Sequence, residues 1–311
     1  MKKYLFAVSL ITGIVSATLA SKVQAVTLYN AGSLRNALGE ISNNFTQTYG
    51  IGVTQVSGPS GSLRARIEQE FSSLGASADV FASADIGNPQ KLFESGLGSP
   101  VVNFIDNRLV ALVKPGLSVT SDNLLDLFLD PNIRLATSTP ILDPSGDYAQ
   151  EIFQKADSIK PGSFQILDSK ALRLVGGAPT SVTPPAGVDN FKYILVDERS
   201  ADVGLVYYTS ALASVAAASD LQIVELPNNL ATEAKYGLSV LKGASVDSEK
   251  LAQYILSPEG QQVLLKYGFT SPQYTSVPEG QGVVGMVFAL GVAFALQKKL
   301  AQKQQVKVGD V

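Results

Sequence analysis

The sequence predicts an α/β fold built around a mainly parallel sheet. Two observations lead there. From residue 26 onward, short strand-like segments of alternating or continuous apolar residues take turns with longer segments of helical period, and the connections between them are short. Small, turn-forming residues also recur where a strand-like segment gives way to a helical one.

The elements follow in order. VTLYNAGS begins as a strand and ends in small residues. In the next segment Leu34, Ala37, Leu38, Ile41 and Phe45 fall on one helical face, with Ser33 as the expected N-cap and Gly50 as the expected stop. IGVTQVSG alternates like a strand, and Leu63, Ile67, Phe71 and Leu74 mark a second helix. DVFASAD is a strand; Asn88-Pro89 opens a short helix with Pro in the favoured first position. RLVALVK, IRLATS, ADVGLVYY, LQIVELP and KYGLSVLKG read as further strands. DNLLDLFLD (capped by Ser121), DPSGDYAQEIFQKA, GVDNFKYILVDE, SALASVAAAS and the stretch SEKLAQYILSPEGQQVLLKYGF read as helical. GGAPTSVTPPAG, residues 176–187, is a Pro/Gly-rich loop.

The 311 residues contain neither Cys nor His. That excludes thiol nucleophiles, Cys/His zinc sites, Ser-His-Asp triads and any imidazole base. Carboxylates, Ser, Tyr and Lys remain, so catalysis stays open at this point, although no paired-acid motif points to a carboxylate-based hydrolase. Residues 1–25 have the form of a secretory signal: Lys2 and Lys3, an apolar stretch, then the small-x-small Val23-Gln24-Ala25. Lys2, Lys3 and Lys22 lie there with no acidic residue, so beyond it the net charge is −6 and no longer −3. Such a chain is a poor nucleic-acid binder. If it takes an anion, local dipoles must attract it.

Four junctions could supply them: NAGS (30–33), SGPSGS (57–62), FASAD (81–85) and LDPSGDY (142–148). Each follows a strand, where open α/β sheets bind ligands, and offers hydroxyls and backbone N–H groups at a helix N-terminus. An ordinary capped loop has the same look. Neither G-x-x-x-x-G-K-[ST] nor G-x-G-x-x-G occurs. Neutral donors on helix ends suit a small, permanently charged oxyanion.

On six segments, NAGSLRNAL, SGPSGSLRARIE, GASADVFASAD, LDPSGDYAQEIF, LVDERSADVGLVYYTSA and SPEGQQVLLKYGF, the chain resembles the periplasmic molybdate-binding proteins of ABC importers over residues 26–271. The resemblance implies a type II periplasmic-binding-protein fold. Its two lobes, 26–113 with 235–272 and 114–234, would be joined by hinge strands near 109–113 and 236–240. It implies a binding protein and not an enzyme, with a molybdate or tungstate ion held between the lobes as ligand, no cofactor, an ABC permease and ATPase as partners, and a monomer. Carried over, Ser33 and Ser60 donate hydroxyls, Ser145 and Asp189 donate backbone N–H groups, and Tyr207 reaches the ion with its hydroxyl. Asp143, Asp147 and Asp189 depart from a purely neutral site. They either cap helices and point away, or one of them, Asp143, coordinates the metal of the ion. Sulfate, phosphate or a small organic anion in the same fold is the alternative ligand. A surface-sorted structural or interaction protein with vestigial binding is the alternative class.

Residues 273–311 stand apart. Val277-Pro278-Glu279-Gly280, the apolar run VVGMVFALGVAFAL and then Lys298-Lys299 resemble a PEP-CTERM sorting segment of Gram-negative bacteria, with Gly in place of the second Pro. That resemblance implies a sorting enzyme as a further partner and an exported protein that is periplasmic or associated with the membrane or cell surface. The first prediction follows: removing residues 275–311 leaves anion affinity unchanged by calorimetry and moves the protein from the membrane to the soluble fraction. Lost affinity with an unchanged circular-dichroism spectrum would contradict it.

Overall fold

A computed structural model describes residues 25–73 and 78–272. Almost all of the expected signal segment, and the 273–311 segment, lie outside the described residues. Among those described, no helix is long and apolar enough to cross a membrane.

The elements run β1 (Val26–Ala31), a 3-10 turn (Gly32–Leu34), α1 (Arg35–Tyr49), β2 (Val53–Gly58), α2 (Ser60–Ser73), β3 (Val80–Ser83), α3 (Gly87–Glu94) and β4 (Val102–Val113). Then come α4 (Leu124–Leu129), β5 (Leu135–Ser138), α5 (Pro144–Ile159), α6 (Ser163–Lys170), β6 (Leu172–Val175), α7 (Asn190–Lys192) with a π turn to Asp197, β7 (Val203–Tyr207) and α8 (Tyr208–Ala217). The chain closes with β8 (Gln222–Glu225), β9 (Glu233–Val240), α9 (Val246–Leu256) and α10 (Pro258–Lys266).

The strands form one ladder, β2-β1-β3-β9-β4-β7-β5-β6, with β8 added on β4. β1 pairs in parallel with β2 and β3, and β5 with β6 and β7. These parallel halves are the sheets of two lobes, each covered by helices. The antiparallel pairs all involve β4 or β9, which carry the chain between the halves. Residues 102–108 of β4 pair with β9, and residues 109–113 pair with β7 and β8. Partner exchange thus falls between Arg108 and Leu109, four residues before 113, and the return crossing runs through 226–232. Residues 236–240 lie within β9, in the first sheet.

Burial is nearly continuous along the central strands, as expected where both faces are covered, and successive residues face opposite cores. Leu28, Val80 and Ala82 face one core while Tyr29 and Phe81 face another with Leu63 and Ile67 of α2. Helix α1 buries Ala37, Leu38, Ile41 and Phe45, and Gly50, at φ 70°, ends it in the left-handed conformation that Gly adopts without strain.

Several sequence expectations change. Ser33 does not cap α1; it lies inside the 3-10 turn and no side chain caps either helix start. Ser121 does not cap α4, whose N-cap is Asn123. The C-terminal helical stretch is two helices, because Ser257 caps a new start at Pro258. α6 and β6 add elements the periodicity did not reveal.

Asp202, just before β7, ties the second lobe together. It is 4% exposed and accepts Lys114 Nζ at 2.5 Å and the Arg134 backbone N–H at 2.8 Å, with Arg134 Nε and Nη2 at 3.0 and 2.9 Å. Burial opposes ionisation, but the bonds from Arg134 and Lys114 outweigh it and hold this carboxyl well below the usual range. Asp202→Asn therefore lowers stability at pH 7 by about 2–3 kcal/mol. The folded pKa is depressed, so this contribution is complete above the unfolded value of about 4 and fades as pH falls toward the folded one. Urea unfolding should show the gap between wild type and variant narrowing from pH 7 to pH 3; a widening gap would contradict the assignment.

Candidate functional site

The turns after β1, β2, β3 and β5 converge with the start of α8 on a cleft of about 810 Å³ between the lobes. The first lobe contributes residues 31–33, Gly58-Pro59 and Ala84. The second contributes Ser138, Asp143, Ser145, the loop 182–191, Tyr207 and Thr209-Ser210. Arg35, at the exposed start of α1, supplies a cation on the rim.

The lobes touch at one edge. Ser62 N–H donates to the Leu142 carbonyl at 3.2 Å, and Tyr148 Oη approaches the Ala84 carbonyl at 3.4 Å. A Cβ on Gly61 would stand 2.0 Å from the Ile141 carbonyl oxygen, so only Gly allows this approach. Ile141 itself takes φ 71°, a strained conformation for a β-branched residue.

Of the expected donors, Tyr207 is the most telling. It lines the cleft at 6% exposure, and its hydroxyl is buried with no hydrogen-bond partner among the described residues. Burial, then Tyr236 and Asp143, push its pKa well above the ordinary phenol value, so it stays a neutral donor. Its ring is held edge-on between Tyr148 and Tyr236, with centroids 6.4 and 5.7 Å away.

Ser33 also lines the cleft, and its hydroxyl meets Tyr236 Oη at 2.8 Å. Ser60 does not. It is buried behind Gly58, Pro59 and Ala84, and its Oγ accepts the Ala84 N–H at 3.1 Å. The opening turn of α2 thus presents Pro59 to the cleft and uses Ser60 to hold the neighbouring wall.

Ser145 faces the cleft, but its backbone N–H is already engaged by Asp143 Oδ1 at 3.1 Å. The second-lobe donor expected there is turned inward because Asp143 is the N-cap of α5. Asp143 Oδ2 takes the Ser138 hydroxyl at 2.6 Å. Burial, and to a lesser degree the charges of Asp147 and Asp85, raise its pKa. Asp147 accepts the Ile141 N–H at 2.8 Å. Asp189 lines the cleft, yet its Oδ1 is committed to Phe191 N–H, Lys192 N–H and the Ser214 hydroxyl at 3.0, 2.9 and 2.6 Å. Asp143 and Asp189 are therefore helix caps that also line the cleft, whereas Asp147 lies inside the first turn of α5 and caps no helix.

Sequence reasoning missed Asn107, Tyr236 and Thr209. Asn107 Nδ2 donates to Thr209 Oγ1 at 2.9 Å and to Tyr236 Oη at 3.2 Å. The signal was an Asp-Asn pair directly preceding the apolar run of RLVALVK, unusual for the middle of a buried strand.

The comparisons agree with this architecture. The family model described as bacterial extracellular solute-binding protein matches residues 26–270, and the chain belongs to that family. It is 32% identical over 247 residues to an uncharacterized protein, PM1146, of Pasteurella multocida, covering 79% of this chain and 98% of that one. It is 28% identical over 258 residues to the molybdate-binding protein ModA of Escherichia coli, covering 79% and 88%. Its fold matches the periplasmic molybdate-binding protein of Azotobacter vinelandii with a TM-score of 0.61 at 20% identity, over 80% of this chain and all of that one.

The placement of Ser60 gives a prediction. Ser60→Ala strands the buried Ala84 N–H and costs about 1–2 kcal/mol, a fall in Tm of roughly 3–6 °C. Ser62→Ala is the control and shifts Tm much less. Equal melting of the two variants in a calorimetric scan would contradict the holding role.

Proposed function

From that family membership, we propose that this chain captures a tetrahedral oxyanion, molybdate or tungstate, between its lobes and presents it to an ABC permease and ATPase. It acts outside the cytoplasm and transforms nothing. The observation that carries this reading is the Tyr207 hydroxyl: a neutral, partnerless, buried donor on the wall of an interlobe cleft. A buried donor without an acceptor costs about 1–3 kcal/mol, and an anion oxygen there recovers it. The Ser33 and Ser145 hydroxyls and the Asp189 backbone N–H complete the donor set in this reading. Asp143 is not an ion ligand in it, because both of its oxygens already hold protein donors. The resemblance to molybdate-binding relatives supports the choice of ion.

One observation favours a second ligand class. A cleft of about 810 Å³ exceeds what a single oxyanion fills and lies in the range of small-molecule pockets. With Arg35 on its rim, it has room for a small organic anion such as a phosphorylated acid.

Competition calorimetry separates these readings. Molybdate and tungstate should bind far more tightly than sulfate, because fixed donors left unpaired by a smaller ion penalise it. Tyr207→Phe should weaken molybdate binding about tenfold to a hundredfold, the worth of one hydrogen bond to a charged acceptor. Equal affinity for sulfate, or preference for a phosphorylated organic acid, would overturn the assignment of the ion.

A further inference from the structure

We infer that Asn107 is a positioning residue that turns one hydroxyl on each lobe into an outward donor, and that Thr209 is a further contact to the bound anion. The inference rests on the oxyanion reading of the cleft.

Asn107 sits on β4 two residues before its partner exchange and is 2% exposed. Its Oδ1 accepts the N–H of Arg108 at 2.9 Å. That contact decides which end of the amide is which: the Nδ2 group must face the other way, where it has two hydrogens to give. One goes to Thr209 Oγ1 on the second lobe at 2.9 Å, and the other to Tyr236 Oη on the first at 3.2 Å.

A hydroxyl that accepts keeps its own hydrogen to donate. The Tyr236 and Ser33 hydroxyls lie 2.8 Å apart and either could donate; with Asn107 already donating to Tyr236, the Tyr236 hydrogen goes to Ser33 on this inference. Ser33 then serves as acceptor and releases its hydrogen toward the cleft it lines. Thr209, 7% exposed, also lines the cleft, and no acceptor among the described residues takes its hydrogen. A single amide thus polarises the chains Asn107–Tyr236–Ser33 and Asn107–Thr209, and both end as donors on opposite walls of the same cleft. Hydroxyls left as free rotors would have to be oriented by the ligand itself; here the orientation exists beforehand, so less ordering cost falls on binding.

The test uses the full chain and calorimetric titration with whichever of molybdate, tungstate, sulfate and phosphate binds the wild type most tightly. Thr209→Val keeps the shape and removes the hydroxyl; affinity should fall about tenfold or more, and Thr209→Ser should restore it. Tyr236→Phe should cost about tenfold in the wild-type background and nothing in a Ser33→Ala background, because it acts through Ser33. Circular dichroism and Tm check each variant; Asn107 itself is left intact because its side chain is buried between the lobes. Thr209→Val binding like wild type, or Tyr236→Phe costing the same with and without Ser33, overturns the inference while wild-type binding keeps the functional reading. A wild type that binds none of the four anions overturns that reading and this inference with it.

Discussion

One unbroken strand belongs to both sheets, and the rest of the molecule is arranged around that constraint. β4 pairs with β9 through Arg108 and with β7 and β8 from Leu109 onward. A strand cannot change partners on this scale without leaving the two sheets it joins as separate bodies with a gap between them. The carboxyl ends of β1, β2, β3 and β5 open into that gap, so their turns meet there. The exchange point is also the place where buried polar side chains from both lobes come within hydrogen-bond reach, which is where Asn107 lies.

The electrostatics of the cleft follow from how the helix starts are satisfied. Asp143 and Asp189 cap helices, and Asp147 holds the Ile141 N–H of the strained turn, so of three acids near a site read as anion-binding both oxygens of Asp143 and Oδ1 of the other two already hold protein donors. Their cost falls on the acids themselves: burial raises the pKa of both Asp143 and Asp147. In the oxyanion reading the donors are then hydroxyls and the Asp189 backbone N–H, and burial keeps the Tyr207 phenol neutral. A chain with an acidic surplus needs this kind of short-range, fixed-dipole attraction, because long-range attraction is not available to it.

Much of this was legible in the sequence. Helical faces such as that of α1 and the alternation of β1 and β2 follow from local periodicity, and the family resemblance supplied the two-lobed fold and the neighbourhood of Ser33, Ser145, Asp189 and Tyr207. What stayed hidden depends on distant partners. Ser33 reads as a cap until its hydroxyl is seen to hydrogen-bond with that of Tyr236, 203 residues away. Ser60 reads as a cleft donor because its turn is right; only the fold shows it buried away from the cleft lining, with the Ala84 N–H donating to its oxygen. The Ser145 N–H looks free until the side chain two residues earlier is seen to reach it. The first half of β4 was missed because Asn103, Asp106 and Asn107 break the apolar pattern, and of these Asn107 bonds to residues of both lobes.

The central claim is that the bound oxyanion keeps its four oxygens and is held by hydrogen bonds alone. X-ray absorption at the molybdenum edge of the molybdate-loaded protein tests it most directly. A shell of four short metal–oxygen distances, unchanged from free molybdate, is the predicted result. Additional, longer oxygen neighbours would place a protein carboxylate, Asp143 foremost, on the metal and would contradict the account.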